Sequence, residues 1–166
     1  MPEKETIERA QQDKREGKSA STQAGEFVRE EMHHVREGKH GARSAKQAVA
    51  IGLSKARRAG VKLAPPKKGK APDETRTKAE HDYARGQDSP KHKPSPRRSR
   101  ATQGALKREG SAAASHRALA RQAKSSARTR GPADRSRAAR KAVRTKGPTG
   151  LRSAARKAAR TRARKS

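Results

Sequence analysis

Apolar residues return every three or four positions in two neighbouring stretches and almost nowhere else. The first carries Ala24, Phe27, Val28, Met32 and Val35; the second carries Ala45, Ala48, Val49, Gly52, Leu53 and Ala56. That spacing places each set on one face of a helix. The ends agree. Residues Ser19 to Thr22 offer N-caps to the first helix, and Ser44 with Gln47 forms a capping-box pattern before the second. Arg36-Glu37-Gly38-Lys39 ends the first and echoes Arg15-Glu16-Gly17-Lys18, so two helix ends of similar build are expected. Gly60 suits a left-handed C-cap over which Val61 folds back, and Pro65-Pro66 stops the element. Residues 22–60 therefore predict a helical hairpin with small residues at its contact face. Its expected core is Phe27, Val28, Met32, Val35, Val49 and Leu53.

Outside the hairpin the pattern weakens. Residues 3–16 predict a polar helix with opposite charges four apart (Glu5 with Arg9, Arg9 with Asp13). Ile7 is its one large apolar residue, so the helix is not expected to be stable alone. Leu, Ile, Val and Phe number 13 in the 166 residues, and eight of them lie between Phe27 and Leu63. A fraction that low is the composition of a disordered chain. A hairpin of roughly 40 residues is near the lower limit for folding alone. It is expected to be a marginally stable hairpin, to form a homodimer, or to pack on a partner protein through residues 22–63.

The last third repeats. Gly131-Pro132 opens a run ending Arg135-Ser136-Arg137-Ala138-Ala139-Arg140-Lys141-Ala142-Val143-Arg144-Thr145-Lys146. Gly147-Pro148 opens a second run, ending Leu151-Arg152-Ser153-Ala154-Ala155-Arg156-Lys157-Ala158-Ala159-Arg160-Thr161-Arg162. Neither copy has a large apolar face, so the repeat cannot stack as a solenoid. What recurs is charge. Arg137, Arg140, Lys141 and Arg144 fall on one helical face; Arg152, Arg156, Arg160 and Arg164 step by four; Arg117, Arg121, Lys124 and Arg128 form a looser first set. Alanine between them favours a helix, and proline after glycine suits a helix start. Like charges four apart oppose it. The expectation is a tail disordered alone that becomes helical when a polyanion neutralises the cations.

Net charge, +29 overall, sharpens this division. Residues 1–63 hold 14 Lys or Arg against 9 Asp or Glu; residues 64–88 hold 6 against 5; residues 89–166 hold 25 against 2. A basic tail on a nearly balanced head points to nucleic acid. The organisation read from this is a helical N-terminal region over 1–63, a Pro/Lys-rich linker over 64–98 and an Ala/Arg/Lys repeat tail over 99–166. The fold class is mostly α with extensive disorder. Within the linker, Asp73 to Arg85 is a weak helix candidate, whereas the prolines between Ser89 and Arg98 favour extended or turn structure.

Two resemblances add to this. Ser95-Pro96-Arg97-Arg98 and Ser89-Pro90-Lys91-His92-Lys93, with the basic repeats behind them, resemble linker-histone tails over residues 89–166. That likeness implies DNA binding and compaction without sequence preference, with Arg97 and Arg98 among the contacts. Arginine outnumbers lysine here, unlike in those tails, which keeps RNA open as a target. Ser21-Thr22-Gln23-Ala24-Gly25-Glu26-Phe27-Val28-Arg29-Glu30-Glu31, then Gly38 to Ser44 and Gln47 to Gly60, look like a family of small basic bacterial proteins of uncharacterised function over residues 1–65. It implies a bacterial origin and no mechanism.

Other chemistries are set aside. There is no cysteine, hence no disulfide or thiolate metal site. His33, His34 and His40 with Glu30, Glu31 and Glu37 invite a metal, but adjacent histidines point apart and zinc spacing is absent, so no metal is expected. No nucleophile–base pair or phosphate loop is legible, so neither catalysis nor a cofactor is expected. The hairpin as a sequence-reading helix-turn-helix lacks a third helix, and its first helix is acidic. The longest apolar run, Ala48 to Ile51, is too short to span a membrane, and no secretory signal is visible. The expected protein is therefore histone-like and nucleoid-associated in the cytoplasm. The expected nucleic-acid contacts are Arg97, Arg98, Arg117, Arg121, Lys124, Arg128, Arg137, Arg140, Lys141, Arg144, Arg152, Arg156, Lys157, Arg160 and Arg164. RNA binding, or an adaptor whose hairpin binds a protein, are the alternatives.

Overall fold

The computed structural model describes residues 2–88 and 95–164, and every regular element among them is helical. In chain order these are α1 (Lys4–Arg15), α2 (Ala20–Arg36), α3 (Ala45–Arg58), α4 (Asp73–Gln87), α5 (Pro96–Lys107), a 3-10 turn (Ser111–Ala114), α6 (His116–Thr129) and α7 (Pro132–Ala163). The chain divides into two compact units, Met1–Gln122 and Ala123–Ser166, with the division falling within α6.

In the first unit the expected hairpin is α2 against α3. Its end signals work as read. The Ser44 hydroxyl accepts the Gln47 N–H at 3.2 Å, while the Gln47 side chain accepts the Arg43 N–H at 2.8 Å. Gly17, Gly38 and Gly60 all take positive φ and end α1, α2 and α3 in the same manner. The amide after each glycine bonds back to the helix: Lys18 to Asp13, Lys39 to His34, Val61 to Ala56. Gly52 lets the helices close. A Cβ there would stand 2.7 Å from the Val28 Cα, nearer than atoms can sit. Phe27, Met32 and Val35 are buried; Val28, Val49 and Leu53 are half-buried beside them.

The rest of the core comes from segments that the apolar pattern left unassigned. Helix α1, too polar to stand alone, inserts Thr6 and Ala10 against α2, and Ala10 joins Ala24, Phe27, Ala56 and Val61 in one apolar cluster. The Arg9 guanidinium meets Glu26 at 2.8 Å. The expected linker holds a 15-residue helix, α4, which packs on α3 through buried Ala79. Ser54 donates to Asp82, and Gly86 comes so close to the Arg57 carbonyl that a Cβ would lie 1.8 Å from its oxygen. The start of the expected tail also docks. Gly41 and Ala42 donate backbone hydrogen bonds to Leu106 and Gly110, and Arg36 donates to the Ala114 carbonyl. Ala113 and Ala114 are thereby buried with Met32, Val35, Ala42 and Ala48. The hairpin faces that a partner was expected to cover are thus in contact with α1, α4 and residues 106–114.

Two local expectations are corrected. Ser95-Pro96-Arg97-Arg98 is expected to be extended or in a turn; instead Pro96 is the first residue of α5, where its missing N–H costs nothing. The upstream unit from Ser89 to Lys93 lies outside the described residues. The tail expected to be disordered is helical in α5, α6 and α7. Each like-charge pair four apart costs only about 0.2–0.5 kcal/mol, and alanine recovers a similar amount per residue over less helical types.

Substituting Gly52 by Ala forces α2 and α3 apart and should destabilise the first unit by about 1–3 kcal/mol, read as a lower thermal midpoint; an unchanged midpoint would contradict the close approach. Gly41→Val acts locally, because a Cβ there would meet the Glu109 carbonyl oxygen at 1.8 Å. Hydrogen exchange at the Gly41 and Ala42 amides should accelerate while the α3 amides keep their protection.

Candidate nucleic-acid interface and a buried acid–histidine cluster

All fifteen cations named as candidate contacts are solvent-exposed. Arg97 and Arg98 lie in the first turn of α5, and Arg117 and Arg121 lie on the part of α6 within the first unit. In the second unit Lys124 and Arg128 lie on the remainder of α6. Arg137, Arg140, Lys141 and Arg144 occupy the first half of α7, and Arg152, Arg156, Lys157 and Arg160 its second half, which Arg164 caps. No residue of α6 or α7 is buried. The Gly-Pro repeat punctuates α7 as its sequence suggests. Gly131 is the N-cap with Pro132 following, and Gly147 leaves helical geometry at φ 63° and ψ 176° with Pro148 restarting the helix.

Few groups compete for these cations. Residues 123–166 contain 16 Lys or Arg and one acid, Asp134, which pairs with Arg137. Arg135 is used internally, donating to the carbonyls of Ala127 and Arg130 at 3.1 and 3.0 Å. Along a helix, residues four apart are separated by about 6 Å, whereas duplex DNA carries a charge every ~1.7 Å of axis. A cationic face laid along duplex DNA would therefore meet more phosphates than it has charges, in any sequence register. Val143, 52% exposed, is the most exposed large apolar side chain described.

The first unit holds a second concentration of charge that the sequence reading set aside. Glu30 and Glu31 lie side by side on α2, both buried, and share one ammonium. Lys55 on α3 stands 3.2 Å from Glu30 and 2.7 Å from Glu31. Removing a buried charge from water costs roughly several kcal/mol per ion unless it is paired. Glu30 is further satisfied by the Glu3 backbone N–H at 3.1 Å. Glu31 is not: neither of its carboxylate oxygens has a hydrogen bond among the described residues, the Lys55 contact being ionic alone. His40 Nε2 faces Glu31 Oε1 at 3.4 Å, and the His34 ring stands edge-on to that of His40 with centroids 5.8 Å apart. His34 Nε2 lies 2.8 Å from Glu3 Oε1, and Lys39 reaches the same oxygen at 3.1 Å. These two partners hold the Glu3 carboxyl below its ordinary range, His34 foremost. Spacing could not show this, because His40 reaches α2 only through the Gly38 turn.

Among the described residues no helix is long and apolar enough to cross a membrane. No curated protein and no solved structure matches the chain. Residues 11–68 match a family of unknown function (DUF6496). The matched stretch runs from α1 through the hairpin and includes Glu30, Glu31, His34, His40 and Lys55, while all fifteen candidate cations lie beyond it. This part of the chain is thus similar to a family of uncharacterised function.

Proposed function

We propose that the protein binds duplex DNA without sequence preference, as a histone-like, nucleoid-associated protein, through phosphate contacts of its basic helices. The observation that carries this reading is the second unit itself: residues 123–166 hold 16 Lys or Arg against one acid, and the helices that carry most of them have no buried residue. A helix that buries nothing has no core to stabilise, and a surface of a single sign is not what solubility alone requires. Base stacking has little to work with, since the whole chain contains one Phe, one Tyr and no Trp. Phosphate contacts bind and position without reading bases.

In our reading charge neutralisation strengthens the helices of this unit. Bound phosphates relieve the repulsion between cations four apart, so helix content rises on binding. The first unit then serves as a folded head that travels with the tail. The expected resemblance of residues 89–166 to linker-histone tails and a bacterial origin belong to this same reading. Arginine outnumbers lysine 17 to 8 over residues 89–166, which keeps RNA open as the second reading, because the planar guanidinium suits phosphate on either nucleic acid. Competition between duplex DNA and structured RNA at equal phosphate concentration separates the two.

Changing Arg137, Arg140, Lys141 and Arg144 together to Gln should weaken binding to every duplex alike and lower the slope of log K against log salt by about 3 to 4. Loss of affinity for one sequence alone, or an unchanged slope, would sink the phosphate account.

A further inference from the structure

We propose that Glu31, His34 and His40 form a binding site for one divalent zinc-type ion in the first unit. The site stands apart from the polyanion reading and would survive its failure. The three side chains each offer a donor atom, and these atoms all lie within 4.8 Å of one another. A tetrahedral ion with ligand bonds near 2.0–2.1 Å sets its donors ~3.4 Å apart. The Glu31 Oε1 to His40 Nε2 separation is already 3.4 Å.

The hydrogen bonds around the cluster tie one nitrogen of each ring to an oxygen. His40 Nδ1 lies 3.1 Å from the Gly41 carbonyl oxygen, which can only accept, so in the neutral ring Nδ1 carries the proton and Nε2 the lone pair. His34 Nε2 lies 2.8 Å from the Glu3 carboxylate, which likewise accepts, so in the neutral ring the lone pair of His34 is on Nδ1. In each ring one nitrogen is tied to an oxygen and the other is free to ligate. That is how metal-bound histidines are held, by an oxygen on the far nitrogen that fixes tautomer and orientation. Glu3 and the Gly41 carbonyl supply those oxygens here.

Glu31 gives the independent observation. Its side chain is fully buried and both oxygens lack a hydrogen bond, with Lys55 beside Oε2. Oε1 faces His40 Nε2 at 3.4 Å, a carboxylate oxygen and a ring nitrogen spaced to share one cation. Charge points the same way: Glu30 and Glu31 share the single ammonium of Lys55, leaving one buried negative charge that a divalent ion would neutralise. One carboxylate and two imidazoles suit zinc and its neighbours over calcium or magnesium, which prefer all-oxygen sites. Three protein donors leave a fourth position to water.

The test titrates Co2+ into the full chain after removal of bound metal by a chelator. One equivalent should bind with the intense visible bands of tetrahedral cobalt, and Zn2+ should displace it. X-ray absorption of the zinc-loaded chain should show two imidazoles around the ion, and zinc should raise the thermal midpoint of the first unit. His34→Ala and His40→Ala should each weaken binding at least about tenfold, whereas His33→Ala, whose ring belongs to no part of the site, should bind as the parent does. Folding of each variant is read by circular dichroism; should His34→Ala fail to fold, the stoichiometry and the imidazole count of the parent chain still decide. Absence of stoichiometric binding by the parent, or equal binding by the His33, His34 and His40 variants, would overturn the site.

Discussion

The structure depends on how closely α2 and α3 can approach. The chain has too few large apolar side chains to fill the space between helices at ordinary spacing, so the helices move in until alanine and glycine suffice. Gly52 permits this against Val28, and Ala24, Ala48 and Ala56 pack fully buried around it. The same economy recurs at Gly86 against Arg57 and at Gly41 against Glu109. A core of small residues stabilises less per helix pair than a core of leucines. The first unit compensates by adding α1, α4 and residues 106–114 to the hairpin, each contributing one or two buried alanines.

Close approach also explains the charges inside. Two glutamates on one helix are tolerable at a helix contact only because Lys55 crosses from α3 to meet both. The turn at Gly38 then brings His40 back over Glu31. Charge in this unit is therefore largely paired and partly enclosed, while residues 123–166 carry 16 Lys or Arg against a single acid. The two units use the same residue types for opposite purposes. In one, cations neutralise internal carboxylates; in the other, under the proposed function, they meet an external polyanion.

Much of the hairpin was legible because it rests on local rules. The apolar step of three or four, Ser44 with Gln47, and glycine at Gly38 and Gly60 each work within a few residues, and the repeat of Gly131-Pro132 at Gly147-Pro148 marked both helix starts of α7. What was not legible depends on distance. Ala79, Ala113 and Ala114 are buried by segments that lie far away in sequence, and alanine has too weak a preference to announce which side is covered. Helix α4 has no apolar stripe; its packing rests on Ala79, Gly86 and the Asp82 contact. His34 and His40 are six apart, which no helical spacing places together, so the cluster with Glu31 needed the turn to be seen. The candidate phosphate contacts were legible as positions, since exposure follows from charge, whereas their order as free helices reflects a near balance between alanine propensity and repulsion.

The central claim is that the basic helices bind by neutralising phosphate and nothing more. The most direct measurement is the salt dependence of binding by the full chain to several duplexes of unrelated sequence, with helix content followed in parallel. The account predicts steep, linear and parallel lines of log K against log salt, with helix gained on binding. A shallow line, or one duplex held tightly at high salt while the others are released, would contradict it and place recognition in base contacts instead.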